Sequence, residues 1–171
     1  MYLKKIVILT LTLVLNSYLH AQDKDLQHTS EIANAFDFWV GNWEVSWYGK
    51  DSTKTVGTNK ISKILDGKVI QENFEDPSMG VKGTSISVFN PRSNVWYQAW
   101  ADTQGSFYNF VGEVYKDKRI FKTPQKDKNG ILWRIVFTDI LENSLTWKFQ
   151  GTKNDGETWD TFWTIYYNRI E

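Results

Sequence analysis

The chain has 171 residues, with 20 basic and 20 acidic side chains, two histidines and no cysteine. Charge so evenly balanced gives no electrostatic footprint for nucleic acid, and without cysteine neither disulfides nor thiol chemistry is available. The outlying feature is aromatic: nine Trp, ten Phe and eight Tyr.

The chain opens on "MYLKKIVILTLTLVLNSYLHAQ", in which Lys4 and Lys5 precede an apolar run, Ile6 to Leu15, and Leu19-His20-Ala21 precedes Gln22. That order predicts a signal peptide over residues 1–21, cleaved after Ala21, and a periplasmic or secreted product. The run is too short for a stable membrane span, and no cysteine follows it to carry a lipid anchor. Removing Lys4 and Lys5 leaves a slight acidic excess. Residues 22–35 read as a flexible lead-in, helical or irregular from Ser30 to Asp37, and hold His28. With no histidine after that, a His-built zinc site or a Ser-His-Asp triad is not available, and neither a metal nor a cofactor is expected.

From Phe36 to Glu171 the chain reads as one domain of short strands: Asn42–Tyr48, Thr55–Leu65, Lys68–Asp76, Lys82–Asn90, Asn94–Asp102, Ser106–Tyr115, Arg119–Thr123, Ile131–Ile140, Ser144–Gly151 and Trp159–Asn168. Each is rich in β-branched or aromatic residues and bounded by turn signals such as "DG", "NPRSN", "TQG" and "KDKNG". About ten strands with no helical period between them predict an all-β, antiparallel up-and-down barrel, since closure removes the exposed edges of a meander. The segment "TKNDGETW", Thr152 to Trp159, has the spacing of the Asp-box hairpin common in sialidases. One copy on a chain this short does not make a propeller, and the segment reads as the turn joining the last two strands, with Asn154, Asp155 and Gly156 supplying its geometry.

"FDFWVGNW" contains Gly41-Asn42-Trp43, the G-x-W that opens the first strand of lipocalins and other calycins, and Arg169 sits near the end of the last strand. With ten meander strands, the stretch from Phe36 to Arg169 resembles a family of secreted bacterial calycin-like proteins. The resemblance implies structural roles for Trp43, closing one end of the barrel, and for Arg169, packing across it; it supplies no catalytic residues.

In a barrel every second residue faces inward. Trp96, Gln98, Trp100 and Asp102 share one face, as do Trp159, Thr161, Trp163, Ile165, Tyr167 and Arg169. Large rings mixed with a few polar groups are how a ligand pocket is built, so Trp96, Gln98, Trp100 and Trp163 are candidate ligand contacts. Glu72 is placed inside beside Phe74, and Tyr108 and Phe110 form another set. On Ile131–Ile140 either Trp133, Ile135 and Phe137 or Arg134, Val136 and Thr138 face inward. Aromatic faces suit a saccharide, a lipid or a pigment, and haem least, for want of a histidine ligand.

The residue inventory allows elimination next to a carboxylate, as in uronic acids. Arg134 or Lys148 with Gln98 would polarise the carboxylate, and Glu72, Asp102 and Tyr108 would move protons. In general character the exported, Trp-rich, histidine-poor barrel is also similar to a small oligosaccharide dehydratase of ulvan-degrading marine Bacteroidetes. That resemblance implies a metal-independent carbon–oxygen lyase acting on uronate-containing oligosaccharides. The alternatives are a non-catalytic lipocalin-type carrier of a small lipid, pigment or saccharide, and a surface interaction protein with a filled core. The expected partner is a small molecule or oligosaccharide in the barrel of a monomer or homodimer, with neither nucleic acid nor stable membrane insertion.

Overall fold

The computed structural model describes residues 29–170. The predicted signal segment and residues 22–28 of the lead-in, His28 among them, lie outside the described residues. The chain divides into two units, one up to Asn34 and one from Ala35. In the first, residues 29–33 form a helical turn in which the Asn34 Nδ2 donates to the Ser30 carbonyl at 2.9 Å. No described helix is long and apolar enough to cross a membrane.

The second unit, from Ala35, starts with a short 3-10 turn, Asp37–Trp39, and continues as ten strands: β1 Gly41–Tyr48, β2 Lys54–Ile64, β3 Val69–Asp76, β4 Val81–Asn90, β5 Val95–Asp102, β6 Phe107–Tyr115, β7 Lys118–Lys122, β8 Leu132–Thr138, β9 Ser144–Thr152 and β10 Asp160–Ile170. Each pairs antiparallel with its sequence neighbours, and β1 pairs with β10, which closes the barrel. The all-β up-and-down barrel expected from the turn signals is the fold observed. Three predicted strands stop sooner than expected: β7 ends at Lys122, one residue early, and in two the backbone turns left-handed, β2 ending before Leu65 (φ 48°) and Asp66 (φ 56°) and β8 before Asp139 (φ 52°). Paired left-handed residues are what a tight hairpin needs to match the twist of its strands.

One end of the barrel is plugged by the phrase that precedes β1. Phe36 is wholly buried, stacked on Phe121 at 4.3 Å and meeting Trp96 edge-on at 5.2 Å, while Phe38 and Trp39 approach Phe137 at 5.5 and 5.2 Å. Arg119 Nε donates to the Ala35 carbonyl and Lys63 pairs with Asp37 at 2.7 Å. Arg169 locks the plug. Its guanidinium lies 4.1 Å from the centre of the Trp43 ring, and its nitrogens donate to the carbonyls of Val40 (2.8 Å), Phe38 (3.2 Å) and Glu142 (2.9 Å). Trp43 in turn donates from Nε1 to the Trp39 carbonyl at 2.8 Å. A charged donor satisfied by several carbonyls and an aromatic face is a strong tertiary tie.

Gly41 makes room for that tie: its φ is 148°, and a Cβ there would stand 2.0 Å from Arg169 Nη1. Gly41→Ala is expected to lower the unfolding free energy by roughly 2–4 kcal/mol, through backbone strain and displacement of the guanidinium. A urea melt of the purified variant measures this.

Candidate functional site

Above the plug the barrel is hollow. A cavity of about 430 Å³ runs from Trp39 to the loops that follow β3 and β5, where Met79 and Gln104 border it. Ten of its lining residues are aromatic: Trp39, Trp47, Phe74, Trp100, Tyr108, Phe110, Trp147, Phe149, Trp163 and Tyr167. Several stand nearly at right angles. Trp163 meets Trp47 at 5.3 Å and 86°, Trp147 at 5.7 Å and 83°, and Phe74 at 6.0 Å and 90°. Crossed rings at these separations are favourable arrangements of the ring quadrupoles, and they leave both faces and edges lining the space.

Glycine keeps that space open. A Cβ at Gly83 on β4 would fall 2.2 Å from the Trp100 ring, so the indole lies flat against the strand where any side chain would push it inward.

The polar part of the lining centres on Glu72. Alternation along β3 puts its carboxyl inside, where it is buried and takes hydrogen bonds from Asn59 Nδ2 on β2 and Ser85 Oγ on β4, each at 2.7 Å. Asn59 Nδ2 also donates to the Tyr167 hydroxyl at 2.9 Å, and Gln98 Nε2 donates to Ser85 Oγ (3.4 Å) and Ser87 Oγ (3.0 Å) behind the carboxyl. Burial away from any counter-charge pushes Glu72 up to about 7, against the pull of its two donors. Tyr167 is pushed well above its ordinary range by burial and by the charge on Glu72. One buried acceptor here, Asn59 Oδ1, is unpartnered, and Trp39 Nε1 stands against the Tyr167 hydroxyl, which eases the upward push on that group.

Asp76 and Asp102 line the cavity near its mouth. Burial opposes the charge on Asp102, but Ser106 N, Trp100 Nε1 and Gln104 N donate to it and hold it below the usual carboxylate range. Tyr108 is shifted upward by burial and by Asp102 and Asp127. None of the described residues lining the cavity is Lys, Arg or His.

Of the residues singled out in the sequence, Glu72, Asp102, Tyr108, Trp100 and Trp163 share this cavity. Trp96 does not: β5 enters from the plugged end, and its first ring packs against Phe36 and Phe89. Gln98 faces inward but stands behind Ser85. Arg134 is on the outer wall, since its neighbour Ile135 lines the cavity; its Nε donates to Gln150 Oε1 at 2.7 Å and its guanidinium covers the Trp159 ring at 3.9 Å. Lys148 also points outward, between the inward Trp147 and Phe149.

The shared face expected along β10 is broken by a bulge between Thr161 and Trp163. The extra residue moves Thr161 to the outer wall, where it accepts from Gln150 Nε2, and Trp159 lies there under Arg134. The "TKNDGETW" hairpin is closed on itself: Thr158 N donates to Asn154 Oδ1 and Gly156 N to Thr152 Oγ1. Trp39, Trp47, Trp147, Phe149 and Asn59 complete the site, though the sequence pattern had not marked them. The signal for the two β9 aromatics was their alternation with Lys148 and Gln150.

No protein-family model matches the chain, and a search of curated proteins found no match. Among solved structures the chain is similar to a de novo designed fluorescence-activating β-barrel, at 15% identity and a TM-score of 0.36 over 80% of this chain and 98% of the designed one. Likeness at that level carries no argument about function.

The Glu72 shift has a measurable consequence for stability. An acid raised from 4.5 to about 7 in the fold favours the native state fully below about pH 4.5, and that contribution is lost as pH rises through 7. Glu72→Gln is therefore expected to gain on the wild type by roughly 3 kcal/mol of unfolding free energy between pH 4.5 and pH 8. Urea melts of both proteins at the two pH values check it; a difference independent of pH would refute the shift.

Proposed function

We propose that the barrel binds a small, largely apolar ligand and performs no covalent chemistry on it, a carrier or sensor role compatible with the predicted export. The observation that carries this reading is the cavity itself: about 430 Å³, walled by aromatic rings, with few polar groups, which is the composition of a small-molecule site.

A carbon–oxygen lyase acting on uronate-containing oligosaccharides retains one supporting observation, that Glu72, Asp102 and Tyr108 line one cavity. Such a reaction needs a cation or amide at the substrate carboxylate. Arg134 and Lys148 stand on the other side of the wall, Gln98 is engaged with Ser85 and Ser87, and the amide that does border the cavity, Gln104, is at its mouth, away from Glu72.

One preparation separates the two readings. N-phenyl-1-naphthylamine, an uncharged fluorescent naphthalene, is titrated into the protein, and a panel of uronic-acid oligosaccharides is incubated with it and followed by mass and ultraviolet absorbance. Saturable one-to-one dye binding is expected, weakened at least about tenfold in Gly83→Val, whose side chain would drive Trp100 into the cavity, with no change in the oligosaccharides. Loss of water or a new double bond in the sugars would sink the non-catalytic reading.

A further inference from the structure

The lining of the cavity is one-sided in charge. Glu72, Asp76 and Asp102 contribute carboxyls, and no described basic side chain balances them. Resting on the binding reading above, we propose that the ligand carries a protonated nitrogen: a small aromatic or alicyclic amine whose ammonium group meets the Glu72 carboxyl while its ring body lies among the tryptophans.

Three independent observations support this. First, each Glu72 oxygen takes one hydrogen bond, from Asn59 or Ser85, and an ionised carboxylate oxygen accepts more than one. The carboxyl thus has acceptor capacity left but no counter-charge, and a buried carboxylate without one is costly. An ammonium ion supplies both the charge and the donors. Secondly, Trp47, Trp100 and Trp163 line the same cavity, and indole rings attract a cation, the more so where water is scarce. Thirdly, Asn59, which donates to Glu72, keeps its own Oδ1 buried and without a protein partner, an acceptor left open next to the carboxyl. An anionic ligand would instead face three acids.

The groups packed against Glu72 leave it as the one that titrates near neutrality. Asn59 on β2, Ser85 on β4 and Trp39 below are uncharged, and Tyr167 on β10 is shifted upward out of range. At the mouth, Asp102 is held ionised and Tyr108 is shifted upward.

The test compares three ligands of one shape by isothermal titration calorimetry: 2-(1-naphthyl)ethylamine, 2-(1-naphthyl)ethanol and 1-naphthylacetate. At pH 8 the amine is expected to bind at least about tenfold more tightly than the alcohol, with the acetate weakest. Its advantage should shrink about tenfold at pH 6 as Glu72 takes up its proton, because an alkylammonium stays charged throughout that range. Glu72→Gln should abolish the advantage while still binding the alcohol, which also shows that the variant folds. Equal or tighter binding of alcohol or acetate, or an amine preference that survives Glu72→Gln, overturns the inference and leaves the binding reading standing. If none of the three binds, both fall.

Discussion

The rest of the structure hangs on the seating of the Arg169 guanidinium upon the Trp43 ring. β10 ends there and β1 begins there, so this contact joins the two ends of the meander at the point where the sheet closes. The same guanidinium takes the carbonyls of Phe38 and Val40, backbone groups of the turn that leads into β1. One side chain therefore spans the closing seam and ties the plug to it, alongside Arg119 and Lys63, with Phe36 and Trp39 beneath the cavity.

That plug makes the cavity blind at one end, and its electrostatics follow. Rings surround Glu72, and the carboxyl has only two neutral protein donors to sustain its charge. Ser85 is polarised from behind by Gln98, so the donors form a connected set and not two isolated contacts. Such networks specify geometry firmly when satisfied, and this one has an acceptor, Asn59 Oδ1, still open. Asp102 differs although it shares the lining, because three N–H groups converge on it at a turn.

The strands were legible in the sequence because turn chemistry is local: Asp, Asn and Gly at the hairpins mark boundaries whatever the tertiary context. The inward placement of Glu72 was legible too, since Phe74 two residues on demanded burial. What failed was alternation carried too far. Along β10 the extra residue at Phe162 inverts the pattern, and no composition signal distinguishes that bulge from a regular strand. Trp96 has the right parity but the wrong height, because a tilted strand passes from plug to mouth and parity says nothing about depth. Arg134 is the same lesson in reverse: on β8 both faces carry large side chains, and only the pairing of Ile135 with Phe149 settles which faces in.

The crossed tryptophans have a consequence of another kind. Trp47, Trp163 and Trp147 form a chain of indoles whose centres are 5.3 and 5.7 Å apart and whose planes are nearly perpendicular. Electronic transitions in chromophores this near and this inclined do not behave independently; they mix and split with opposite rotatory sign. The molecule therefore has its own optical signature in the near ultraviolet, seated in the cavity wall and sensitive to small rotations of any one ring.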